Sequence, residues 1–174
     1  MLNKNITVYA FEPNPYVYKI LKNNILLNKL SDNVHTIPIA LSNEKGNAIL
    51  KIPASGTDSG LACIGKPLRF DSWHEIYVPM DTLDNIAKQK NISHVDLIKI
   101  DTEGCEFPIL LGGEKLIRRK LPCILLEFDE RNTAQFGYHP NKIIKLLTAW
   151  GYTFRMISQS DAYFYKKGVC LLYK

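Results

Sequence analysis

A chain of 174 residues, 46% hydrophobic and 22% charged, is long enough to bury its own core and too apolar to be disordered. Its 22 basic residues against 17 acidic ones give a net charge of +5, which permits a polyanionic partner without requiring one. No apolar run approaches the ~20 residues of a membrane span, and Met1-Leu2-Asn3-Lys4-Asn5 carries no signal pattern, so a cytoplasmic protein is expected.

Taken in order, the chain alternates strands and helices. Thr7-Val8-Tyr9-Ala10-Phe11 is a β-prone run closed by Glu12-Pro13-Asn14-Pro15. Asn14 suits an N-cap and Pro15 the first helical position. Apolar residues at Val17, Ile20, Leu21, Ile25 and Leu27 then line one helical face, ending near Asn28. Residues 34–40 predict a second strand and 48–52 a third, joined by the turn Asn43-Glu44-Lys45-Gly46. Residues 54–75 lack periodicity, and Ser55-Gly56-Thr57-Asp58-Ser59-Gly60 is turn chemistry, as expected of a lid or binding loop.

Asp81-Thr82-Leu83-Asp84 opens a short helix toward Lys90. Residues 95–100 form a strong strand ended by Asp101-Thr102-Glu103-Gly104, and a helix is predicted over 105–120 with Pro108 in its first turn. Residues 123–128 read as a strand buried on both faces. Residues 140–150 form a helix closed by Gly151. Residues 152–157 and 169–173 predict a last antiparallel pair around a tip at Ser160-Asp161. Strands joined by helices imply one open, mostly parallel sheet with helices on both faces, and no linker divides residues 1–174 into more than one domain.

Two features have ordinary readings. The basic run Lys115-Leu116-Ile117-Arg118-Arg119-Lys120 suits a helix end, where cations meet the negative end of the dipole, before it suits nucleic acid. Cys63, Cys105, Cys123 and Cys170 share no metal-ligand or CxxC spacing, so reduced thiols are expected.

In open α/β sheets ligands bind beyond the carboxyl ends of the strands, and acids stand at those ends here. Glu12 ends the first strand; it reads either as an acceptor for the two hydroxyls of a ribose or as a solvated acid near a helix start. Asp101 ends the most apolar strand and suits a cationic or hydroxylic group. Glu103 and Glu106 read as ordinary dipole partners in the first turn of the next helix. A Mg²⁺ site drawn from Asp101, Glu127 and Asp129 is weaker than the reading of unrelated acids, because nothing fixes its geometry. His35, His74, His94 and His139 form no metal motif. His139, before Pro140, suits a turn residue or a general base. No GxSxG elbow or P-loop occurs. Asn14-Pro15-Tyr16 falls a residue short of the NPPY signature of base methylation and follows the wrong strand for it.

These strand ends, read in order, resemble the FkbM family of S-adenosylmethionine-dependent methyltransferases. The stretches that carry the resemblance are Val8-Tyr9-Ala10-Phe11-Glu12-Pro13-Asn14-Pro15, Ile39-Ala40-Leu41-Ser42 and Val78-Pro79-Met80-Asp81-Thr82-Leu83-Asp84. The most specific is Asp96-Leu97-Ile98-Lys99-Ile100-Asp101-Thr102-Glu103-Gly104-Cys105-Glu106. The resemblance implies an α/β class I methyltransferase (Rossmann-like) fold, with a mostly parallel sheet and an antiparallel C-terminal strand pair. It implies that Glu12 holds the cofactor ribose, that Leu41 and Ser42 flank the adenine, and that Asp101 lies by the transferred methyl as both cofactor-binding and catalytic residue. It implies S-adenosylmethionine as cofactor, no metal, and O-methylation of a small-molecule hydroxyl on a sugar or natural product.

The departure from the family is the first strand, glycine-rich loop and first helix, which belong before Glu12; about 20 residues back from Glu12 falls before Met1. The chain therefore reads as N-terminally truncated, with two inner sheet edges open to each other or to self-association. Membrane and nucleic-acid partners are not expected. The alternative reading is a non-catalytic methyltransferase remnant that binds or assembles without turnover.

Overall fold

The computed structural model describes residues 6–54, 62–68, 71–127 and 129–168. They fall in two compact units. The first holds the residues up to Leu41 and Gly46–Met80, and the second holds Ser42–Lys45 and the residues from Asp81 onward.

In the first unit β1 (Val8–Phe11) pairs in parallel with β2 (Val34–Ile37), Val8 opposite Val34 and Phe11 opposite Ile37. Between them runs α1 (Pro15–Leu27). Its start matches the sequence: the Asn14 side chain accepts from the Tyr16 N–H at 3.0 Å, and Pro15 occupies the first turn, where no N–H is needed. Its end matches too, the Asn28 N–H reaching the Asn24 carbonyl at 3.1 Å. The Tyr18 hydroxyl meets Thr36 Oγ1 at 2.9 Å and ties the helix to β2.

The predicted strand over 34–40 is divided. Pro38 lacks an N–H, and the Ile39 N–H turns back to the Ile37 carbonyl at 3.0 Å, a three-residue turn. Beyond this turn, β3 (Ala40–Ser42) belongs to a different sheet of order β3-β5-β4. There β4 (Gly46–Pro53) and β5 (Trp73–Thr82) pair antiparallel, Gly46 opposite Met80 and Pro53 opposite Trp73. The two strands bury Ala48, Leu50, Ile52 and Val78 with Ala40, and Ala62, Ile64, Ile76 and Met80 pack against this cluster. Burial of alternate residues is what holds such a register, since a one-residue slip would turn the cluster outward. Of the irregular 54–75 stretch, Cys63 bridges to Lys51 and the last three residues already belong to β5; residues 55–61 and 69–70 lie outside the described residues.

The second unit holds α2 (Leu83–Gln89), β6 (Leu97–Ile100), α3 (Glu106–Gly112), α4 (Glu114–Lys120), β7 (Cys123–Glu127), α5 (Glu130–Ala134), α6 (Asn141–Ala149), β8 (Thr153–Met156) and β9 (Asp161–Tyr165). Its sheet runs β6-β7-β9-β8. Only β6 and β7 are parallel, Ile100 opposite Leu126; β7/β9 and β8/β9 are antiparallel. Ile124, Leu126, Ala162 and Phe164 are fully buried on the sheet, as are Leu110, Ile117, Ile143 and Leu147 on the helices.

The fold corrects several expectations. The helix over 105–120 is two helices meeting at Gly113. A Cβ on the preceding Gly112 would collide with the Ser42 carbonyl oxygen, so this end of α3 approaches a backbone more closely than any side chain allows. The second strand of the C-terminal pair is Asp161–Tyr165, and residues 169–173 lie outside the described residues. Asp161 fixes the tight turn by taking the Ser158 hydroxyl at 2.6 Å and offering its carbonyl to the Ile157 N–H at 2.8 Å. The single, mostly parallel sheet is instead three separate sheets among the described residues, and β4/β5, β7/β9 and β8/β9 pair antiparallel. The class is mixed α/β. Cys63 and Cys105 are buried thiols outside any disulfide, whereas Cys123 is held in a disulfide, contrary to the expectation of reduced thiols throughout.

Candidate functional site

Glu12 comes directly after β1. Its N–H extends the pairing to the Ile37 carbonyl at 3.1 Å, and its carboxylate oxygen Oε1 accepts from the Asn14 N–H at 2.7 Å. Burial raises its pKa against the opposing pull of that hydrogen bond. The carboxylate is thus half-buried and oriented by the same turn that caps α1. Leu41, also in the first unit, is half-buried in β3. Ser42, which ends β3, is half-buried and its hydroxyl donates to Asn43 Oδ1 at 3.2 Å.

In the second unit Asp101 stands immediately after β6, with 46% of its side chain exposed and Lys99 Nζ at 2.9 Å from Oδ2. A tight turn comes next. Glu103 has φ +55° and Gly104 φ +111°, a left-handed pair in which glycine is favoured at the second position. A Cβ on Gly104 would lie 2.5 Å from the Asn132 carbonyl oxygen and 2.7 Å from the Phe136 ring. The Asn132 amide also bonds the Glu103 carboxylate.

Glu106 is not the solvated dipole partner expected from its place in the first helical turn. It is 2% exposed, and its Oε1 accepts from the Thr102 N–H at 3.0 Å, the Thr102 hydroxyl at 3.0 Å and the Gly104 N–H at 3.2 Å. A buried carboxylate is tolerated when donors surround it this way. Tyr138 completes the arrangement: its hydroxyl lies 2.6 Å from the Gly104 carbonyl and 3.2 Å from Glu106 Oε2, and accepts from the Phe107 N–H at 3.3 Å. Burial, and then the Glu106 charge, push the Tyr138 phenol upward. Glu103 is likewise not helical; it precedes α3 in the turn.

The three acids of the drawn Mg²⁺ site part company. Asp129 caps α5 through the Arg131 N–H at 2.8 Å and pairs with the Arg131 guanidinium at 2.5 Å. Glu127 and Asp101 stand at neighbouring ends of the parallel strands β6 and β7, and Glu127 is pushed up to about 7 by burial, then by the hydrogen bonding and charge of Asp101, then by the charges of Glu103 and Glu106. His139 serves α6, its Nδ1 accepting from the Asn141 N–H at 3.1 Å, while Nε2 lies 3.3 Å from Glu130. Sequence reasoning set Asp101 and Glu127 at neighbouring strand ends but favoured unrelated acids, and it missed the support of the Asp101 turn by Asn132 and Tyr138. The pairing was accessible from the two parallel strands, whose ends must lie side by side.

Exposed and half-buried acids stand at the carboxyl ends of parallel strands in a mixed α/β fold, the place where open α/β sheets bind ligands. The chain belongs to the FkbM methyltransferase family: the Methyltransferase FkbM domain matches residues 2–154. Among curated proteins it is similar to the methyltransferase sdnD of Sordaria araneosa, 25% identical over 133 residues that make up 62% of this chain and 51% of that protein. The chain therefore spans about half the length of this relative. Among solved structures it is similar to the methyltransferase FkbM of Methylobacillus flagellatus KT, with a TM-score of 0.55 at 14% identity over 91% of this chain and 36% of that one. That likeness concerns the fold. Among the described residues no helix is long and apolar enough to cross a membrane.

Proposed function

We propose that this chain is an S-adenosylmethionine-dependent O-methyltransferase domain acting on a hydroxyl of a sugar or natural product. The observation that carries the reading is Asp101, exposed at the tip of β6 on a braced turn, inside the segment that matches the family. The residues fit the cofactor's chemistry. Half-buried Glu12 offers a fixed acceptor to the ribose hydroxyls, Leu41 and Ser42 offer an apolar and a polar edge to the adenine, and Asp101 offers negative charge to the sulfonium. When bound, S-adenosylmethionine supplies an electrophilic methyl group. Asp101 takes the proton of the attacking hydroxyl, and alignment of the acceptor supplies most of the acceleration, for which ~7–11 kcal/mol is attainable.

The test is a calorimetric titration of the full chain with S-adenosylmethionine. Saturable binding is expected, weakened at least about tenfold in Glu12→Ala, equivalent to ~1.4 kcal/mol. Affinity unchanged in that variant would reject the role of Glu12, and no heat at millimolar ligand would reject the cofactor. The second reading is a non-catalytic module that binds or assembles. Transfer of a labelled methyl group to a panel of hydroxylated acceptors would decide against it.

A further inference from the structure

We propose that Glu127 shares one proton with Asp101 and so keeps Asp101 the anionic member of the pair, a positioning role for Glu127 that rests on the methyltransferase reading above.

The strands dictate the meeting. β6 and β7 are parallel with Ile100 opposite Leu126, so the next residues, Asp101 and Glu127, leave the sheet side by side. Side chains alternate along a strand, and the register places Lys99, Asp101, Glu127 and Asp161 on one face, Glu127 being opposite Asp161. Asp101 raises the pKa of Glu127 both through side-chain hydrogen bonding and through its charge. Two ionised carboxylates have only acceptors to offer, so this hydrogen bonding exists only while one of them is protonated.

The neighbours decide which. Lys99 Nζ donates to Asp101 Oδ2 at 2.9 Å, which favours charge on Asp101. Glu127 is surrounded by acids: Asp101 from β6, Asp161 from β9, and Glu103 and Glu106 from the turn and the start of α3. Lys99 faces this row, and its own pKa is raised chiefly by the hydrogen bond to Asp101, with smaller contributions from Asp161 and Glu127; the register also puts Tyr163 of β9 and Arg155 of β8 on this face. Asp161 has a local donor in the Ser158 hydroxyl. Burial and these like charges hold Glu127 near 7, so it carries the proton across the mildly acidic range.

The chemical consequence is a defined acceptor. As the hydroxyl attacks, its O–H bond would break, its proton would form an O–H bond on Asp101, and the oxygen would bond the methyl carbon as the donor's carbon–sulfur bond breaks, that electron pair leaving on the neutral thioether sulfur. With Glu127 already protonated, Asp101 is the anionic proton acceptor of the pair, and the additional proton leaves to solvent once the product has departed.

The experiment is a carboxyl-carbon NMR titration of the full chain from pH 3 to 9, with S-adenosylmethionine titrated calorimetrically into the same samples. One glutamate is expected to titrate near 7. Its resonance should vanish in Glu127→Gln and move down by more than one pH unit in Asp101→Asn. Should Glu127→Gln fail to fold, the wild-type titration and Asp101→Asn still decide. Glu127 titrating in the ordinary carboxyl range would overturn the proposal, as would a shift unaffected by Asp101→Asn. A raised Glu127 in a chain that binds no S-adenosylmethionine would uphold the shared proton and sink the methyltransferase reading instead.

Discussion

Gly104 is where the geometry behind Asp101 is least forgiving. Its positive φ and the backbone oxygen and ring that crowd its missing side chain act together, so Gly104→Ala should destabilise the chain by about 2–4 kcal/mol. Equilibrium urea unfolding will show it, and a loss below 1 kcal/mol would mean the turn relaxes freely. Much at this scale was legible. Asp101 was placed at a strand tip because an apolar run stops there, and Asn14 was recognised as a cap from its type and the proline after it. Glu106 was not, because an acid in a first helical turn looks the same whether water or protein surrounds it. Its surroundings come partly from Tyr138, 32 residues away, and no local pattern announces such a partner.

Among the elements, α4 depends on a neighbour. Its own preceding residue, Gly113, has no side chain to cap it, and Asp84 of α2 does so from outside, accepting from the Lys115 N–H at 3.1 Å and the Leu116 N–H at 2.8 Å. These are among the N–H groups that a helix cannot satisfy internally, and a carboxylate there also meets the positive end of the dipole. Asp84→Ala should therefore cost about 1–2 kcal/mol, read as a fall in Tm of roughly 2–4 °C per kcal/mol. An unchanged Tm would show that solvent replaces the cap. The helix start at Asp81-Thr82 was readable from capping chemistry, and Thr82 Oγ1 does accept from the Asn85 N–H at 3.1 Å. β5 was not, because Pro79 argues against a strand and His74-Glu75 interrupts the alternation, although β5 is the middle strand of its sheet.

For the whole molecule, the perturbed acids set the pH dependence. Glu127, near 7 against an ordinary 4.5, and Glu12, also raised by burial, are held above their unfolded values. Groups shifted upward stabilise fully below the unfolded pKa and lose that contribution as pH rises through the folded one. Asp129 is lowered chiefly by Arg131, and Asp81 is lowered because hydrogen bonds from Asn85 and Thr82 outweigh its desolvation. Their contributions are present above about 3.8 and lost as pH falls below it. Thermal stability should accordingly peak at mildly acidic pH and decline toward 7, and Glu127→Gln should flatten the decline. A Tm that rises steadily from pH 5 to 7 would contradict this. The mixed α/β class was legible from alternating periodicities, whereas the division into three sheets was not. Sheet continuity depends on where β3 turns away after Pro38, and pairing partners leave no mark on a strand's own sequence.

The close approach of Gly112 to Ser42 has a bearing on the order of assembly. The four residues Ser42–Lys45 lie between the two segments of the first unit yet belong to the second. As the chain leaves the ribosome, every residue of the first unit is available once Met80 has emerged, whereas Ser42 waits for the helix end that packs against it at Gly112, 70 residues further along the chain than itself and 32 beyond Met80. A nascent chain halted between β5 and α3 would carry that turn without its mate, and a bulkier residue at position 112 would delay or forbid the late step while leaving the early one untouched.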